Sequence, residues 1–234
     1  MKMTNRWNRF IYRLWAPVYD ATVGRFFLPG RKRAMAILDL QPGERVLLVG
    51  IGTGADLPLL PVGVETVGVD ISPEMLARAQ SRLPLPGLAV TLIKGDAQEL
   101  LVVESAFDAV IFNLILSVIP DGRACLHANL RALKSGGRAV VFDKFAPGGG
   151  RISGIRRMLN WFSTMLGTDI TRCFYDLSQG APCAILRDEP SLMHGMYRIV
   201  LLGKNNRVPT ATIKKSPVPA VSLFPDLSLK STAP

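Results

Sequence analysis

The chain has 234 residues, with 28 Lys and Arg against 18 Asp and Glu, and a formal net charge of +10. That length fits one domain with a full hydrophobic core, and 48% hydrophobic residues exclude a wholly disordered chain. Three cysteines without C-x-x-C spacing and two scattered histidines argue against a disulfide framework or a zinc centre. We therefore expect a reducing compartment and no metal.

No segment of the sequence is predicted to cross a membrane. The longest apolar stretch, 109–119, is interrupted by Asn113 and Ser117, and a spanning helix needs roughly 20 residues. The first residues carry charges but lack the continuous apolar segment and cleavage site of a signal peptide. These features predict a cytoplasmic protein that could reach a membrane only from its inner face.

The most informative segment is a predicted strand that ends in three alternating glycines. Apolar residues 46–49 lead into Gly50, Gly52 and Gly54, and glycines let the backbone turn sharply and approach a ligand closely. A second apolar run ends in Asp70, where a carboxylate can accept hydrogen bonds from ribose hydroxyls. The pattern predicts a nucleoside-binding site.

The spacing of the glycines favours a cofactor without phosphates. Dinucleotide enzymes use G-x-G-x-x-G, in which the third glycine admits the helix whose N-terminus holds a pyrophosphate. Here the glycines alternate, Ala55 follows them, and Asp56 would repel a pyrophosphate. Taken alone, the loop could also be an ordinary tight turn.

Strands and helices alternate after the loop. Ser72 and Pro73 have the positions of an N-cap and a first helical residue. The pattern further predicts strands over 90–94 and 107–113, a helix over 121–133 that stops at the glycines of 134–137, and a strand over 138–144. Apolar strands that alternate with helices predict an α/β fold with a parallel sheet covered on both faces.

Residues 44–144 resemble the core of the class I S-adenosylmethionine-dependent methyltransferases. The resemblance implies a Rossmann-like, seven-stranded, mostly parallel sheet, with S-adenosylmethionine as cofactor and S-adenosylhomocysteine as product. Leu48 departs from the pattern, because many relatives carry there an acid that anchors the methionine end. The implied cofactor site consists of Gly50, Gly52, Thr53, Gly54, Asp70, Ile71, Asp96, Ala97, Asn113 and Leu114, with Asn113 beside the methyl group.

Motifs beyond this core resemble bacterial phospholipid N-methyltransferases that act on phosphatidylethanolamine. This resemblance implies stepwise methylation of that lipid, through its mono- and dimethyl forms, to phosphatidylcholine. The first of the motifs is also shared with quinone-ring C-methyltransferases. The motifs are Tyr12-x-x-x-Ala16-Pro17-x-Tyr19-Asp20, 116–121, 142–145, 167–172 and the stretch from 188 to 200.

Methyl transfer to an amine requires alignment of the reactants and an acceptor for the proton of the ammonium. Candidate acceptors are Tyr19, Asn113 and the Leu114 carbonyl, while Tyr12 would close over the site. Each tyrosine could equally be an ordinary core aromatic, and each cation an ordinary surface charge. The best candidates to hold a lipid phosphate are Lys144, Arg172 and Arg198, with Tyr175 and Tyr197 as neutral donors.

The positive charge is concentrated at the two ends of the chain. Residues 1–33 contain eight Lys and Arg against one acid, and residues 204–234 contain five against one. Near the start, apolar residues recur at helical spacing beside arginines, as in helices that lie in a bilayer interface. Alternatively, this stripe packs on the protein's own core. The predicted membrane residues are Trp7, Phe10, Ile11, Leu14 and Trp15.

Three segments follow from these patterns. Residues 1–40 would form amphipathic basic helices that contact an anionic membrane and cover the active site. Residues 41–204 would form the methyltransferase domain, in which 147–180 is an insertion on the substrate side that includes a second apolar stripe over 152–166. Residues 205–234, rich in Pro, Ser and Lys, are predicted to be a disordered tail.

Three other functions remain open at this stage. A quinone or another small lipophile could be the methyl acceptor instead of a phospholipid. An RNA methyltransferase or nucleic-acid-binding protein would fit the charge, but Asn113-Leu114-Ile115-Leu116 replaces the N-P-P-[YF] motif after the fourth strand. Leu48 also leaves room for a cofactor sensor without catalytic activity.

Overall fold

The computed structural model describes residues 24–99, 104–146 and 168–204. Several predicted features lie outside these ranges and stay predictions. They are the membrane residues Trp7, Phe10, Ile11, Leu14 and Trp15, the catalytic candidates Tyr12 and Tyr19, the apolar stripe 152–166, and the tail 205–234.

The described ranges form one seven-stranded sheet with helices on both faces. The strands are β1 (Arg45–Val49), β2 (Glu65–Asp70), β3 (Ala89–Lys94), β4 (Phe107–Asn113), β5 (Leu133–Lys144), β6 (Cys183–Pro190) and β7 (Tyr197–Lys204). The helices are α1 (24–38), α2 (Pro73–Gln80), α3 (Gly122–Arg131) and the short α4 (Phe174–Ser178), with a 3-10 turn at Leu57–Leu59.

The strand order β3-β2-β1-β4-β5-β7-β6 confirms the predicted Rossmann-like fold. Strands β1 to β5 are parallel, whereas β7 is antiparallel to both β5 and β6. The order reverses between β1 and β4, and ligands bind outside the carboxyl ends of the strands at such a reversal. The topology therefore places the glycine loop after β1 where a ligand site is expected.

Local sequence signals explain where α2 and α3 begin. The Ser72 hydroxyl accepts a hydrogen bond from the Met75 N–H at 3.3 Å, and Pro73 occupies the first helical position. Asp121 caps α3 in the same way, because its carboxylate accepts from the Ala124 N–H at 2.8 Å. Both helices therefore start as predicted.

The connection from α3 to β5 differs from the prediction. The helix ends at Arg131, and β5 already begins at Leu133, so Gly136 and Gly137 lie within the strand. The register of β4 and β5 is irregular after Phe107, which pairs with Leu133. Gly136 has a φ of +75°, which lets the strand bend there. The glycines thus mark an irregularity in the strand, because pairing with β4 outweighs the helix-stop pattern.

Two apolar clusters fill the two faces of the sheet. One cluster combines Phe112 and Val141 with apolar residues of α3 and α4. The other combines Ile111 and Phe142 with apolar residues of α1. Gly30 allows α1 to approach closely, since a Cβ there would lie 2.2 Å from the Phe142 ring. No helix in the described ranges is long and apolar enough to cross a bilayer.

Arg138 ties the start of β5 to the end of α1. Its guanidinium donates to the Leu38 and Asp39 carbonyls and pairs with Glu44 through two bonds of 2.7 and 2.9 Å. The hydrogen bond from Arg138 holds the pKa of Glu44 below its ordinary value of 4.5. This ion pair therefore stabilises the fold above that pH and loses its effect as the pH falls through the lower folded-state pKa.

We expect Glu44→Gln to lower the free energy of unfolding at pH 7 by about 1 kcal/mol, a value that allows for partial exposure of the pair. The difference from the wild type should shrink as the pH falls below 4.5 and disappear below the lowered folded-state pKa of Glu44, where this carboxyl is protonated in both states. Urea denaturation at pH 7 and below that pKa measures this. Glu65→Gln, which breaks an exposed pair with Arg45, is the control and should change little. An equal loss at both pH values would contradict the assignment.

Candidate active site

A cleft lies at the carboxyl ends of β1, β2 and β4. It encloses about 940 Å³ of space, including the part open to solvent. Nine of the ten predicted cofactor residues line it, and Gly54 is the exception. Its lining includes Gly50, Gly52, Thr53, Asp70, Ile71, Asp96, Ala97, Asn113 and Leu114, together with Arg31, Ile115, Val118 and Ile119.

The three glycines of the loop have different surroundings. Each has a positive φ, of +68° at Gly50, +56° at Gly52 and +77° at Gly54. A Cβ at Gly52 would meet no atom closer than the Gly50 carbonyl oxygen at 4.0 Å, so this position faces open space. At Gly54 a Cβ would lie 3.2 Å from Ala79 of α2. Gly54 is therefore a packing glycine, and Gly52 forms the floor of the cleft.

Asp70 ends β2 and holds the glycine loop in place. Its carboxylate accepts hydrogen bonds from the Gly52 N–H at 2.8 Å and the Ser72 N–H at 2.9 Å. Burial raises the pKa of Asp70, and these two N–H donors oppose the shift. A carboxylate offers about four acceptor sites, so Asp70 retains acceptor capacity for a hydroxyl donor from the cleft.

The end of the cleft beside β3 is formed by Asp96 and Ala97. Asp96 accepts from the Gln98 N–H at 3.0 Å, and the Gln98 side-chain oxygen accepts from the Asp121 N–H at 2.7 Å. These bonds connect the loop after β3 to the start of α3. Val118 and Ile119 contribute apolar side chains to the lining of the cleft.

A buried polar network at the other end of the cleft was missed by the sequence analysis. Arg31 Nη1 pairs with Asp56 Oδ2 at 2.6 Å, and Asn113 Nδ2 donates to Asp56 Oδ1 at 2.9 Å. In the sequence, Arg31 is only one of the basic residues of 1–33, and Asp56 indicates only that a pyrophosphate would be repelled. The one signal of this network in the sequence is an acid, Asp56, directly after the glycine loop. Its position does not indicate that Arg31 and Asn113 are its partners.

Leu48 also has a clear place in the structure. It is 1% exposed and packs in the cluster under α1, beside Leu38 and Ile111. An acid at this position would be buried in an apolar layer. A leucine at position 48 therefore suits its apolar surroundings better than an acid would.

The loop after β4 forms a wall of the cleft and is held from two sides. Leu114 has a φ of +60° and donates its N–H to the Phe142 carbonyl at 2.7 Å. The Ser117 N–H donates to buried Asp143 at 2.9 Å, and burial raises the pKa of Asp143. Arg172 donates to the Leu116 carbonyl and, at 2.9 Å, to the Pro120 carbonyl. Contrary to the prediction, the Arg172 guanidinium is engaged by the protein and supports this wall.

The remaining predicted substrate residues do not form one cluster. In the sheet, Lys144 pairs with Tyr197 and Asp143 with Arg198, and neighbouring residues of a strand point to opposite faces. Lys144 and Tyr197 therefore share the α1 face with Asn113, which pairs with Phe142 two residues before Lys144. Arg198 lies on the opposite face.

Arg198 and Tyr175 are bound to the same acid. Arg198 Nε lies 2.8 Å from one oxygen of Asp188, and the Tyr175 hydroxyl donates to the other at 2.9 Å. This hydrogen bond raises the pKa of Tyr175. Asp188 thus balances the charge of Arg198. The structure does not bring Arg198 and Tyr175 together with Lys144, and their part in substrate binding stays a prediction.

Lys144 is the cation that shares a face with Asn113. Its Nζ lies 5.9 Å from the centre of the Tyr197 ring. Burial lowers the pKa of Lys144, while the nearby carboxylates of Asp143 and Asp169 oppose this shift. Within the described ranges, no group of three or more His, Cys, Asp or Glu is placed to hold a metal ion.

Comparisons with known proteins decide the family. A sequence profile described as "Methyltransferase domain" matches residues 47–141. The chain is 35% identical over 158 residues to a phosphatidylethanolamine N-methyltransferase of Cereibacter sphaeroides, covering 67% of this chain and 77% of that protein. The chain belongs to the class I S-adenosylmethionine-dependent methyltransferases. S-adenosylmethionine is its methyl donor and S-adenosylhomocysteine its product.

Other relatives of this methyltransferase have different acceptors. It is 36% identical over 118 residues to a demethylmenaquinone methyltransferase of Corynebacterium glutamicum, but that match covers 50% of this chain and 49% of the relative. An S-adenosylmethionine-dependent methyltransferase of Thermotoga maritima superposes with a TM-score of 0.62 at 19% identity, over 85% of this chain and all of that one. The structural likeness supports the fold alone.

Proposed function

We propose that this methyltransferase transfers methyl groups to the amine of phosphatidylethanolamine and its mono- and dimethyl forms, at a membrane surface. The observation that carries the proposal is the extent of the match to the phosphatidylethanolamine enzyme. That match spans 158 residues and most of the relative, whereas the match to the menaquinone enzyme covers about half of each chain. Similarity to the lipid enzyme therefore extends beyond the cofactor-binding core that both relatives share.

The cleft offers a suitable contact for each part of the cofactor. In the proposal, Asp70 binds the ribose hydroxyls, while Asp96 and the Ala97 backbone meet the adenine. The methionine portion lies over Gly50 and Gly52, toward Asn113. When bound, S-adenosylmethionine supplies a methyl group activated by its sulfonium. The protein then has to align an uncharged amine with that methyl.

The acceptor amine has to release a proton to water before it can attack, and its remaining N–H groups then need hydrogen-bond acceptors. The Asn113 side chain and the Leu114 carbonyl are the described groups that can accept its N–H, and Tyr19 and Tyr12 are proposed to complete the site from outside the described ranges. Lys144 lies on the same face as Asn113, one step farther along the sheet. This position supports the proposal that Lys144 holds the phosphate of a lipid whose amine reaches Asn113.

Exposed apolar side chains support contact with a membrane near the cleft. Phe26 is 49% exposed and Leu28 is 36% exposed, at the start of α1 and beside the exposed Arg25. This end of α1 lies beside Tyr197, because the Phe27 and Tyr197 rings are 4.9 Å apart. We propose that this surface, together with Trp7, Phe10, Ile11, Leu14 and Trp15, docks peripherally on an anionic bilayer at the inner face of the membrane.

Lys144→Met should lower kcat/KM on phosphatidylethanolamine vesicles at least about tenfold, because a misplaced substrate reacts more slowly. The Kd for S-adenosylhomocysteine should stay the same, since Lys144 does not line the cofactor cleft. Lys134→Met, which removes a cation at the other end of β5, is the matched control. Turnover that is unchanged in Lys144→Met would remove Lys144 from the substrate site.

The proposed function is tested by offering several acceptors to the same enzyme. Purified protein is incubated with radiolabelled S-adenosylmethionine and phosphatidylethanolamine vesicles, demethylmenaquinol or total RNA. We expect label in the lipid, as mono-, di- and trimethylated forms. Label in the quinol alone would favour the quinone methyltransferase that the menaquinone relatives suggest, and label in RNA alone would overturn both lipid-soluble acceptors.

A further inference from the structure

Asp56 connects two residues of the cleft wall through a buried network. Its carboxylate lies between Arg31 Nη1 at 2.6 Å and Asn113 Nδ2 at 2.9 Å. The side chains of Arg31 and Asp56 are 9% and 6% exposed, and Asn113 is 5% exposed. A buried carboxylate with a compensating guanidinium can fix the orientation of a neighbouring side chain.

The contact with Asp56 determines which way the Asn113 amide faces. An ionised carboxylate can only accept hydrogen bonds, so the NH₂ end of the amide has to point toward it. The carbonyl oxygen, Oδ1, then points away from Asp56. Asn113 lines the cleft, and its buried Oδ1 has no hydrogen-bond partner among the described residues. A buried acceptor without a partner is costly, so a ligand donor that reaches Oδ1 would be favoured.

Asp56 also strengthens this acceptor. Hydrogen bonds in a chain polarise one another, so donation from Nδ2 to a carboxylate increases the negative charge on Oδ1. A cationic N–H group benefits most from such an acceptor, because hydrogen bonds with an ionised partner are the stronger ones.

We propose that Asp56 is a positioning residue that presents Asn113 Oδ1 to the cleft as an acceptor for a primary ammonium group. The proposed function gave Asn113 a contact with the acceptor amine; the present proposal adds a role for Asp56, which orients the Asn113 amide. The ammonium comes either from the amino-acid portion of the cofactor or from the acceptor lipid. The second source rests on the proposed function, and the first needs only the methyltransferase family.

The position of Asp56 fits the substitution at position 48. Leu48 is packed into the apolar layer under α1. Asp56 lies behind the same glycine loop, on the cleft side, and already has Arg31 as its counter-ion. The chain therefore places an acid at the methionine end of the cleft from a different position of the loop.

Asp56→Asn tests the proposal, because it no longer forces the amide of Asn113 into one orientation. Calorimetry compares S-adenosylhomocysteine, which carries the ammonium, with methylthioadenosine, which lacks the amino-acid portion. If the cofactor supplies the ammonium, the Kd for S-adenosylhomocysteine should rise at least about tenfold, and the Kd for methylthioadenosine less than twofold. If the lipid supplies it, both Kd values stay unchanged and kcat/KM on phosphatidylethanolamine vesicles falls at least about tenfold.

Asp108→Asn, which removes a paired carboxylate at the far end of the sheet, is the control and should alter none of these values. An equal loss of affinity for both nucleosides would overturn the proposal, because it indicates a collapsed cleft. Unchanged Kd values and unchanged turnover would overturn it as well. Wild-type turnover on the vesicles tests the proposed function separately, so its failure leaves the nucleoside comparison valid.

If Asp56→Asn does not fold, Asn113→Leu replaces it. This variant removes Oδ1 and leaves the pair between Asp56 and Arg31 in place. Either a selective rise in the Kd for S-adenosylhomocysteine or a fall in kcat/KM on the vesicles with unchanged Kd values supports the proposal. Unchanged affinities and unchanged turnover overturn it.

Discussion

Gly52→Val is expected to abolish binding of S-adenosylmethionine and S-adenosylhomocysteine, with a loss of at least about a hundredfold in affinity. A side chain at Gly52 would meet no protein atom closer than 4.0 Å and would project into the cleft. A bulky group there fills the space of the cofactor, which loses its contact with the loop. Calorimetry with S-adenosylhomocysteine measures the effect.

Gly43→Val is a matched control for this variant. Gly43 also has a positive φ, of +86°, and a Cβ there would meet nothing within 4 Å. Both variants therefore carry a similar backbone strain, of about 1–3 kcal/mol, but Gly43 lies in the turn before β1, away from the cleft. If the two variants bind the cofactor equally well, Gly52 is not under the cofactor. The pair Gly52→Ala and Gly43→Ala repeats the comparison with less strain, should the valine variants fail to fold.

Asp70→Ala is expected to weaken cofactor binding by about 1–3 kcal/mol, because hydroxyl donors lose a charged acceptor. The loss includes the support that Asp70 gives to the Gly52 N–H. Asp121→Ala is the matched control, since it removes an acid that caps α3 and costs about 1 kcal/mol of stability. Unchanged affinity in a folded Asp70→Ala protein would remove the ribose assignment.

The pH dependence of binding provides a second test of Asp70. Burial raises the pKa of Asp70, so this carboxyl takes up a proton at a higher pH than an ordinary aspartate. Affinity should therefore fall as the pH is lowered toward that raised pKa, because the protonated group is a weaker acceptor. Asp70→Ala should lack this part of the pH profile, which calorimetry at several pH values measures.

The cofactor half of the site was predictable because its residues occur at the ends of consecutive strands. Gly50 and Gly52 follow β1, Asp70 ends β2, and Asn113 ends β4, so parallel pairing brings them together without further information. Local chemistry was sufficient for these positions.

The polar network behind the cleft was not predictable in the same way. Asp56 is 25 residues from Arg31 and 57 residues from Asn113, and no periodicity connects them. Their contact depends on how α1 packs across the sheet, where Gly30 allows a close approach to Phe142. Such a contact follows from tertiary packing alone.

The candidate phosphate-binding residues do not lie together, for a different physical reason. Side chains of neighbouring strand residues point to opposite faces, so Tyr197 and Arg198 cannot both lie beside Lys144. Deciding which of them does requires the register of β5 and β7. The antiparallel insertion of β7 between β5 and β6 is not visible in the order of elements along the chain.

The direction of β7 separates residue 24, where α1 starts, from residue 204, where β7 ends. Helix α1 starts beside Tyr197 and ends beside Arg138, so residue 24 lies at the cleft end of the sheet. Strand β7 runs away from that end, and Lys204 donates to the Arg131 and Leu133 carbonyls at the opposite edge. A label or surface tether fused after residue 204 would be attached far from the cleft, while one placed before residue 24 would be attached beside it.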